Sequence, residues 1–127
     1  MDQLLPLRYV AAGGAIGALV RWAALEVAAD NQVSEVVFVL NVVGSVLLGI
    51  LVGGFRLRAG RRWVTRNQFL LVGTGFCGAL TTFSTYALDV ATALDDGAIG
   101  RASMIGLSTA AVTVVCAGVG YRLGARR

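Results

Sequence analysis

The stretch Gly73–Tyr86 reads GTGFCGALTTFSTY and lies inside a run from Asn67 to Leu88 that carries no charged side chain. Thr81, Thr82, Ser84 and Thr85 place hydroxyls in a segment long enough to cross a bilayer, with Phe76, Phe83 and Tyr86 interleaved. Hydroxyls offer hydrogen bonds where lipid offers none, and Gly73, Gly75 and Gly78 loosen the helix that carries them. A break near Gly78–Thr81 would free backbone carbonyls on one side and N–H groups on the other. Half-helix ends of this kind hold cations by carbonyls and attract anions by amides. A ring is electropositive at its edge and electronegative on its face, so Phe83 and Tyr86, three residues apart, are suited to present edges to an anion along one pathway. Ordinary aromatic packing is the plainer reading of the same pair. The chemistry on offer is the solvation of a small ion.

Bond-making chemistry is poorly supplied. The chain has no histidine, and no pair of carboxylates falls at membrane depth, so general acid–base work lacks its usual actors and an enzyme is not expected. Two cysteines, Cys77 and Cys116, sit in separate apolar runs. They are too few for a zinc site without histidine and read as small packing residues.

The elements that must position these groups are membrane spans. Of the 127 residues, 57% are hydrophobic and 14% charged, with a mean hydropathy of +0.76, a composition of membrane proteins rather than soluble domains. Each span needs on the order of 20 mostly apolar residues, and four such runs occur, about 5–27, 36–55, 67–93 and 102–121. Short connections join them: AADNQVSE, the basic RLRAGRRWVTR, and DDGAIGR. Nothing remains for a soluble domain, so residues 1–127 are expected to form a single all-α membrane domain of four helices, the third one broken. Arg8 followed by Tyr9–Val20 has the outline of a cleavable signal. Arg21 follows directly and no small-x-small site appears, so this run is read as the first span.

Arginine supplies the whole basic balance, since lysine is absent. The side carrying both termini and the second loop receives Arg8, Arg56, Arg58, Arg61, Arg62, Arg66, Arg122, Arg126 and Arg127; the other side receives Arg21 and Arg101. Nine against two orients the chain with both termini in the cytoplasm. The arginines flank apolar runs rather than interleave with aromatics on a polar surface, so no nucleic-acid partner is expected; the surrounding partner is membrane lipid.

Helical spacing places polar and small residues on shared faces. Asn41, Ser45, Gly49 and Gly53 recur every four residues on the second span, and small residues so spaced let helices approach closely. The Asn41 amide is costly in hydrocarbon and must meet either another helix or a polar cavity; both remain open. On the first span Gly13, Gly17 and Arg21 repeat the spacing, and Arg21 either joins that face or snorkels to the headgroups. Ser108, Thr109 and Thr113 are the polar residues of the fourth span, and each can bond to its own helix.

GGAIGALVRW at Gly13–Trp22, NVVGSVLLG at Asn41–Gly49 and GFCGALTTFSTY at Gly75–Tyr86 resemble the signature segments of the Fluc, or CrcB, fluoride channels. The resemblance covers the first three spans in order and the length of the chain; the third segment is its most specific part. It implies a bacterial inner-membrane channel that exports fluoride passively, built as an antiparallel dimer with two narrow pores along the interface. It also implies a structural sodium ion at the dimer centre, held by backbone carbonyls that fall on Gly78 and Thr81 here. By position, the anion pathway would take in Asn41, Phe83, Tyr86, Ser108 and Arg21. Thr82, Ser84 and Thr113 join it through their hydroxyls, and Met104 by its place one turn before Ser108. Two of these depart from the family pattern: Tyr86 replaces a second phenylalanine, and Met104 stands where a tyrosine is usual. A four-helix multidrug-type antiporter has similar length, but its mechanism needs a carboxylate at membrane depth, and Glu26, Glu35 and Asp89 fall near span ends. A non-conducting structural subunit of a heterodimeric channel is the other alternative.

An antiparallel homodimer requires a chain that inserts both ways, hence balanced loops. The arginine bias implies instead a related partner of opposite orientation. Tags on the termini of the chain expressed alone are expected to report a cytoplasmic location; a substantial periplasmic fraction would contradict the fixed orientation.

Overall fold

The computed structural model of the protein describes residues 4–29, 32–55 and 63–126. Arg56, Arg58, Arg61, Arg62 and Arg127, which carry much of the arginine bias, lie outside the described residues. Helix α1 runs Leu4–Glu26 and α2 runs Val33–Phe55. The third span begins as α3 (Arg66–Gln68), continues as a π-helix (Phe69–Cys77), and reverts to α geometry in α4 (Gly78–Leu80). It resumes as α5 (Ser84–Asp95), and α6 (Ile99–Ala125) completes the chain. Among the described residues there is no strand, and four helical stretches, Leu4–Glu26, Val33–Phe55, Arg66–Asp95 and Ile99–Ala125, are long and apolar enough to cross a membrane.

Close backbone approach through glycine organises the bundle in two seams. Along the first, a methyl group placed on Gly13 would strike the Leu71 carbonyl and one on Gly17 the Phe76 carbonyl, while Gly75 faces Val10 and Gly14 from the other side. Here α1 lies directly on the π-helix. The second seam joins α2 to α6: Gly49 and Gly53 face the backbone of Ala117 and Tyr121, and Gly120 and Gly124 face that of Val46 and Ile50. With no hydrophobic force to drive helices together in lipid, such approach supplies the packing. The four-residue spacings read from the sequence therefore mark the contact faces.

Between the seams, Leu51, Val64 and Cys77 form the buried centre, packed by Leu47, Phe55, Phe69, Val72 and Phe76. Phe55 and Phe69 stack with ring centroids 5.1 Å apart. Thr65 starts the third span with a capping box, its hydroxyl accepting from Gln68 N–H while the Gln68 side chain accepts from Thr65 N–H. Trp63 Nε1 donates to the Gly124 carbonyl at 2.9 Å, tying the entry of the third span to the last turn of α6. Arg66, Arg122 and Arg126 thus stand at one end of the bundle. At the other end Gly97, at a φ of 71°, makes the turn between α5 and α6; Ala98 N–H closes it on the Ala93 carbonyl at 2.8 Å, the left-handed ending that glycine permits.

The observed helices extend one to four residues beyond the spans read from hydropathy at six of the eight ends. The π-helix was not legible in the sequence. Substitution of Gly17 by valine is expected to destabilise the bundle by about 1–3 kcal/mol through forced separation of backbones, read as a lower melting temperature in detergent. Gly118→Ala is the matched control, since a Cβ there meets open space.

Candidate functional site

The third span is interrupted at residues 81–83, at the edge of the Gly78–Thr81 stretch where a break was expected. Thr81 turns extended, with φ −79° and ψ 152°. The last helical hydrogen bond before the break runs from Thr81 N–H to the Cys77 carbonyl at 3.1 Å, doubled by the Thr81 hydroxyl at 3.0 Å. In a continuous helix the next N–H, of Thr82, would close on Gly78. It donates instead to Asn41 Oδ1 at 2.9 Å, and Asn41 Nδ2 donates to the Thr82 carbonyl at 3.0 Å. The asparagine amide therefore pairs with both backbone polar groups of Thr82, one from each of the two peptide units that flank it, as a neighbouring strand would, and it does so while only 8% exposed. Of the two readings open for Asn41, the interhelical hydrogen bond is present, and its partner is backbone.

Space for this arrangement comes from Gly44, where a Cβ would run into the Thr81 methyl group. From α1, Arg21 Nη1 reaches the Thr81 carbonyl at a long 3.4 Å. The guanidinium is turned to the break rather than to the end of the helix. Gly78, the other carbonyl position expected to matter, faces open space.

One cavity opens at the break, and a second lies beyond it along α5. The larger, about 680 Å³, is lined by α2 residues Asn41, Gly44 and Ser45, by Thr74, Cys77 and Gly78 of the third span, by Thr81, Thr82 and Phe83, and by Thr109 and Thr113 of α6. No charged side chain lines it. The smaller, about 470 Å³, lies towards the α5–α6 turn and carries Ser34, Glu35, Asp89, Arg101 and Ser108. Tyr86 and Thr109 line both.

The sequence-predicted residues divide accordingly. Asn41, Thr82, Phe83, Tyr86 and Thr113 come together on the larger cavity, with Thr81 and Gly78 beside them. The Phe83 and Tyr86 rings lie 5.3 Å apart, tilted by 50°, as their three-residue spacing anticipated, and Phe83 is 75% exposed. Ser84 stands at the start of α5 with its hydroxyl 2.9 Å from that of Thr82. Ser108 belongs to the smaller cavity and bonds weakly to its own helix, at 3.4 Å from the Ile105 carbonyl. Thr113 donates to the Thr109 carbonyl at 2.8 Å, so its proton is engaged within α6. Met104 lines neither cavity and is 68% exposed.

Sequence reasoning missed Thr74 and did not rank Ser45 or Thr109 among the site residues. Ser45 and Thr109 could have been found, the first from its four-residue spacing to Asn41 and the second from its place beside Ser108. Thr74 could not, because its direction is set by the π-helix, whose i→i+5 bonding shifts every side chain from the α-helical face assignment. Among the described residues, no cluster of three or more histidine, cysteine or acidic side chains could hold a metal ion; the donors on offer at the break are backbone carbonyls. The arrangement can present hydroxyls, ring edges and main-chain dipoles to a small ion in a cavity without fixed charge.

Comparison with known proteins bears on what that ion pathway serves. The chain is 40% identical over 125 residues to the "Fluoride-specific ion channel FluC 2" of Synechococcus sp. (strain CC9902), covering 98% of this chain and 83% of that protein. It is 32% identical over 126 residues to the "Fluoride-specific ion channel FluC" of Vibrio campbellii (strain ATCC BAA-1116), covering 97% of each. A further FluC 2, from Parasynechococcus marenigrum (strain WH8102), is 38% identical over 126 residues, covering 98% of this chain and 85% of that one. Residues 8–121 match the family described as "CrcB-like protein, Camphor Resistance (CrcB)". With its signature segments meeting at one splinted helix break, and with relatives matched along almost its whole length, the chain belongs to the CrcB family.

Proposed function

We propose that this protein is a fluoride-selective channel that lets the ion leave the bacterial cytoplasm passively across the inner membrane. The observation that carries the reading is the helix break held by Asn41 beside an uncharged, hydroxyl-lined cavity, in a chain whose relatives bear the fluoride-channel name along nearly their whole length. Fluoride holds its water tightly, so a pore must offer several close donors before the ion will shed its shell. Thr82 and Ser84 hydroxyls, the ring edges of Phe83 and Tyr86, and the second proton of the Asn41 amide are grouped for that task. Chloride, being larger, gains less from sites so narrow. Arg21 adds positive potential at the break, and the hydroxyls of Ser108 and Thr113 extend the polar lining along α6.

The cavities open on the surface of a single chain, and Phe83 is largely exposed. A second subunit, packed antiparallel, would close them into pores. The arginine bias favours a related chain of opposite orientation as that subunit, with both termini of this chain in the cytoplasm. A structural sodium ion at the break is supported by its carbonyls: Thr82 N–H, the helical partner of the Gly78 carbonyl, donates to Asn41 instead, and neutral oxygen donors suit a hard cation. Gly78 and Thr81 carbonyls would hold it, with the partner subunit completing the shell, and the ion would supply positive charge near the anion path. The Thr81 carbonyl is shared with Arg21 at long range. The multidrug-type antiporter is set aside by family membership; a non-conducting member of a heterodimer differs from the main reading only in flux.

Purified protein, reconstituted together with a related chain of opposite orientation in fluoride-loaded liposomes, is expected to release fluoride and retain chloride. Phe83→Ile removes a ring edge and is expected to lower the flux by an order of magnitude or more, about 1.4 kcal/mol of barrier per tenfold. Asn41→Asp keeps an acceptor for Thr82 N–H but removes the donor to the Thr82 carbonyl and introduces negative charge, so it is expected to abolish fluoride release. Undiminished flux in both variants would place the pathway elsewhere.

A further inference from the structure

Tyr86 carries a hydroxyl that ring-edge solvation of an anion does not use. That hydroxyl donates to the Gly106 carbonyl on α6 at 2.9 Å. The side chain thus spans from α5 to α6, fixed at one end by its Cα and at the other by this bond. Its position is what gives the bond meaning. The larger cavity lies at mid-span and the smaller towards the α5–α6 turn, and they share Tyr86 and Thr109 in their linings. The tyrosine ring therefore borders both. Gly106 leaves room for the contact, since even an added Cβ would sit 3.6 Å from the Tyr86 oxygen, at ordinary van der Waals separation.

The neighbouring ring behaves differently. Phe83 stands 5.3 Å from Tyr86 in the same tilted pair, yet it is 75% exposed and has no polar atom with which to be tethered. Of the two rings, Tyr86 alone has a polar atom that ties it to a second helix.

We propose that the Tyr86 hydroxyl bolts its ring across the junction of the two cavities, so that the bond to Gly106 sets how often the passage is open. Tyr86 is in this sense a positioning residue that controls rate, and the inference rests on the fluoride-channel reading above. Removing the hydroxyl leaves ring, volume and apolar character in place and deletes only the tether.

The test is Tyr86→Phe in the full chain, reconstituted with the related chain of opposite orientation, beside the wild type in the same pairing, in liposomes loaded with fluoride or with chloride. Fluoride release is expected to rise roughly fivefold, the population change that one hydrogen bond of ordinary net strength controls, with chloride still retained. Equal or slower fluoride release by the variant, with the wild type conducting, overturns the bolt and leaves the channel reading intact. A parallel rise in chloride release marks general loosening and also overturns it. Silence of both proteins against protein-free liposomes overturns the channel reading and the bolt together, whereas a silent wild type with a conducting variant supports the bolt. Infrared spectroscopy of Tyr9→Phe/Tyr121→Phe protein, in which Tyr86 is the remaining tyrosine, reads the tether directly: a donor-only hydroxyl band is expected, and a water-bonded one overturns the proposal.

Discussion

A peptide group freed from helical bonding inside a bilayer has no water to turn to, and each one left unpaired costs several kcal/mol. The whole arrangement of this protein follows from meeting that cost at one place. Asn41 pairs both its amide oxygen and its amide nitrogen with the backbone of Thr82, so the chain can leave the helix at Thr81 and re-enter it at Ser84 without stranding the Thr82 peptide. The Thr81 hydroxyl folds back on the Cys77 carbonyl and strengthens the last turn before the gap. An asparagine whose side chain does the work of a strand neighbour explains why such a polar group sits almost fully buried on an otherwise apolar helix.

The glycine seams decide where that splint can reach. Because Gly13, Gly17 and Gly75 let α1 rest on the π-helix, Arg21 arrives within 3.4 Å of the Thr81 carbonyl. Because Gly49, Gly53, Gly120 and Gly124 let α2 and α6 lie backbone to backbone, Thr109 and Thr113 are held opposite the break on the far wall of the larger cavity. Contacts of this type are short-ranged and steep, and they fix the relative heights of three spans to within a side chain. The hydroxyls, rings and dipoles of the site acquire their mutual geometry from these seams rather than from bonds among themselves.

Division of the polar lining into an uncharged cavity and one bearing Glu35, Asp89 and Arg101 separates two physical tasks. Fixed charges can gather and sort ions where water still reaches them, while a narrow neutral stretch must replace hydration with closely placed donors. Tyr86, which borders both, stands where one environment gives way to the other.

Residue types and spacings alone determined the four apolar spans, the contact faces marked by Gly13–Gly17 and Asn41–Gly53, the interruption after Gly78, and the pairing of Phe83 with Tyr86. Hydropathy, four-residue spacing and glycine content are local properties, and they are written along the chain. Tertiary structure alone decided that Asn41 bonds to the backbone of Thr82 and that Arg21 turns to Thr81. It also decided that Ser108 and Thr113 line different cavities, and that Met104 lines neither. These outcomes depend on which helix lies against which and at what height. The π-helix is the clearest case: its i→i+5 bonding alters the face on which Thr74 falls, and it leaves no periodic trace in a sequence read with the α-helical period. Nor could the Tyr86 bond to Gly106 be foreseen, since its two partners belong to different helices and are brought together only by the fold.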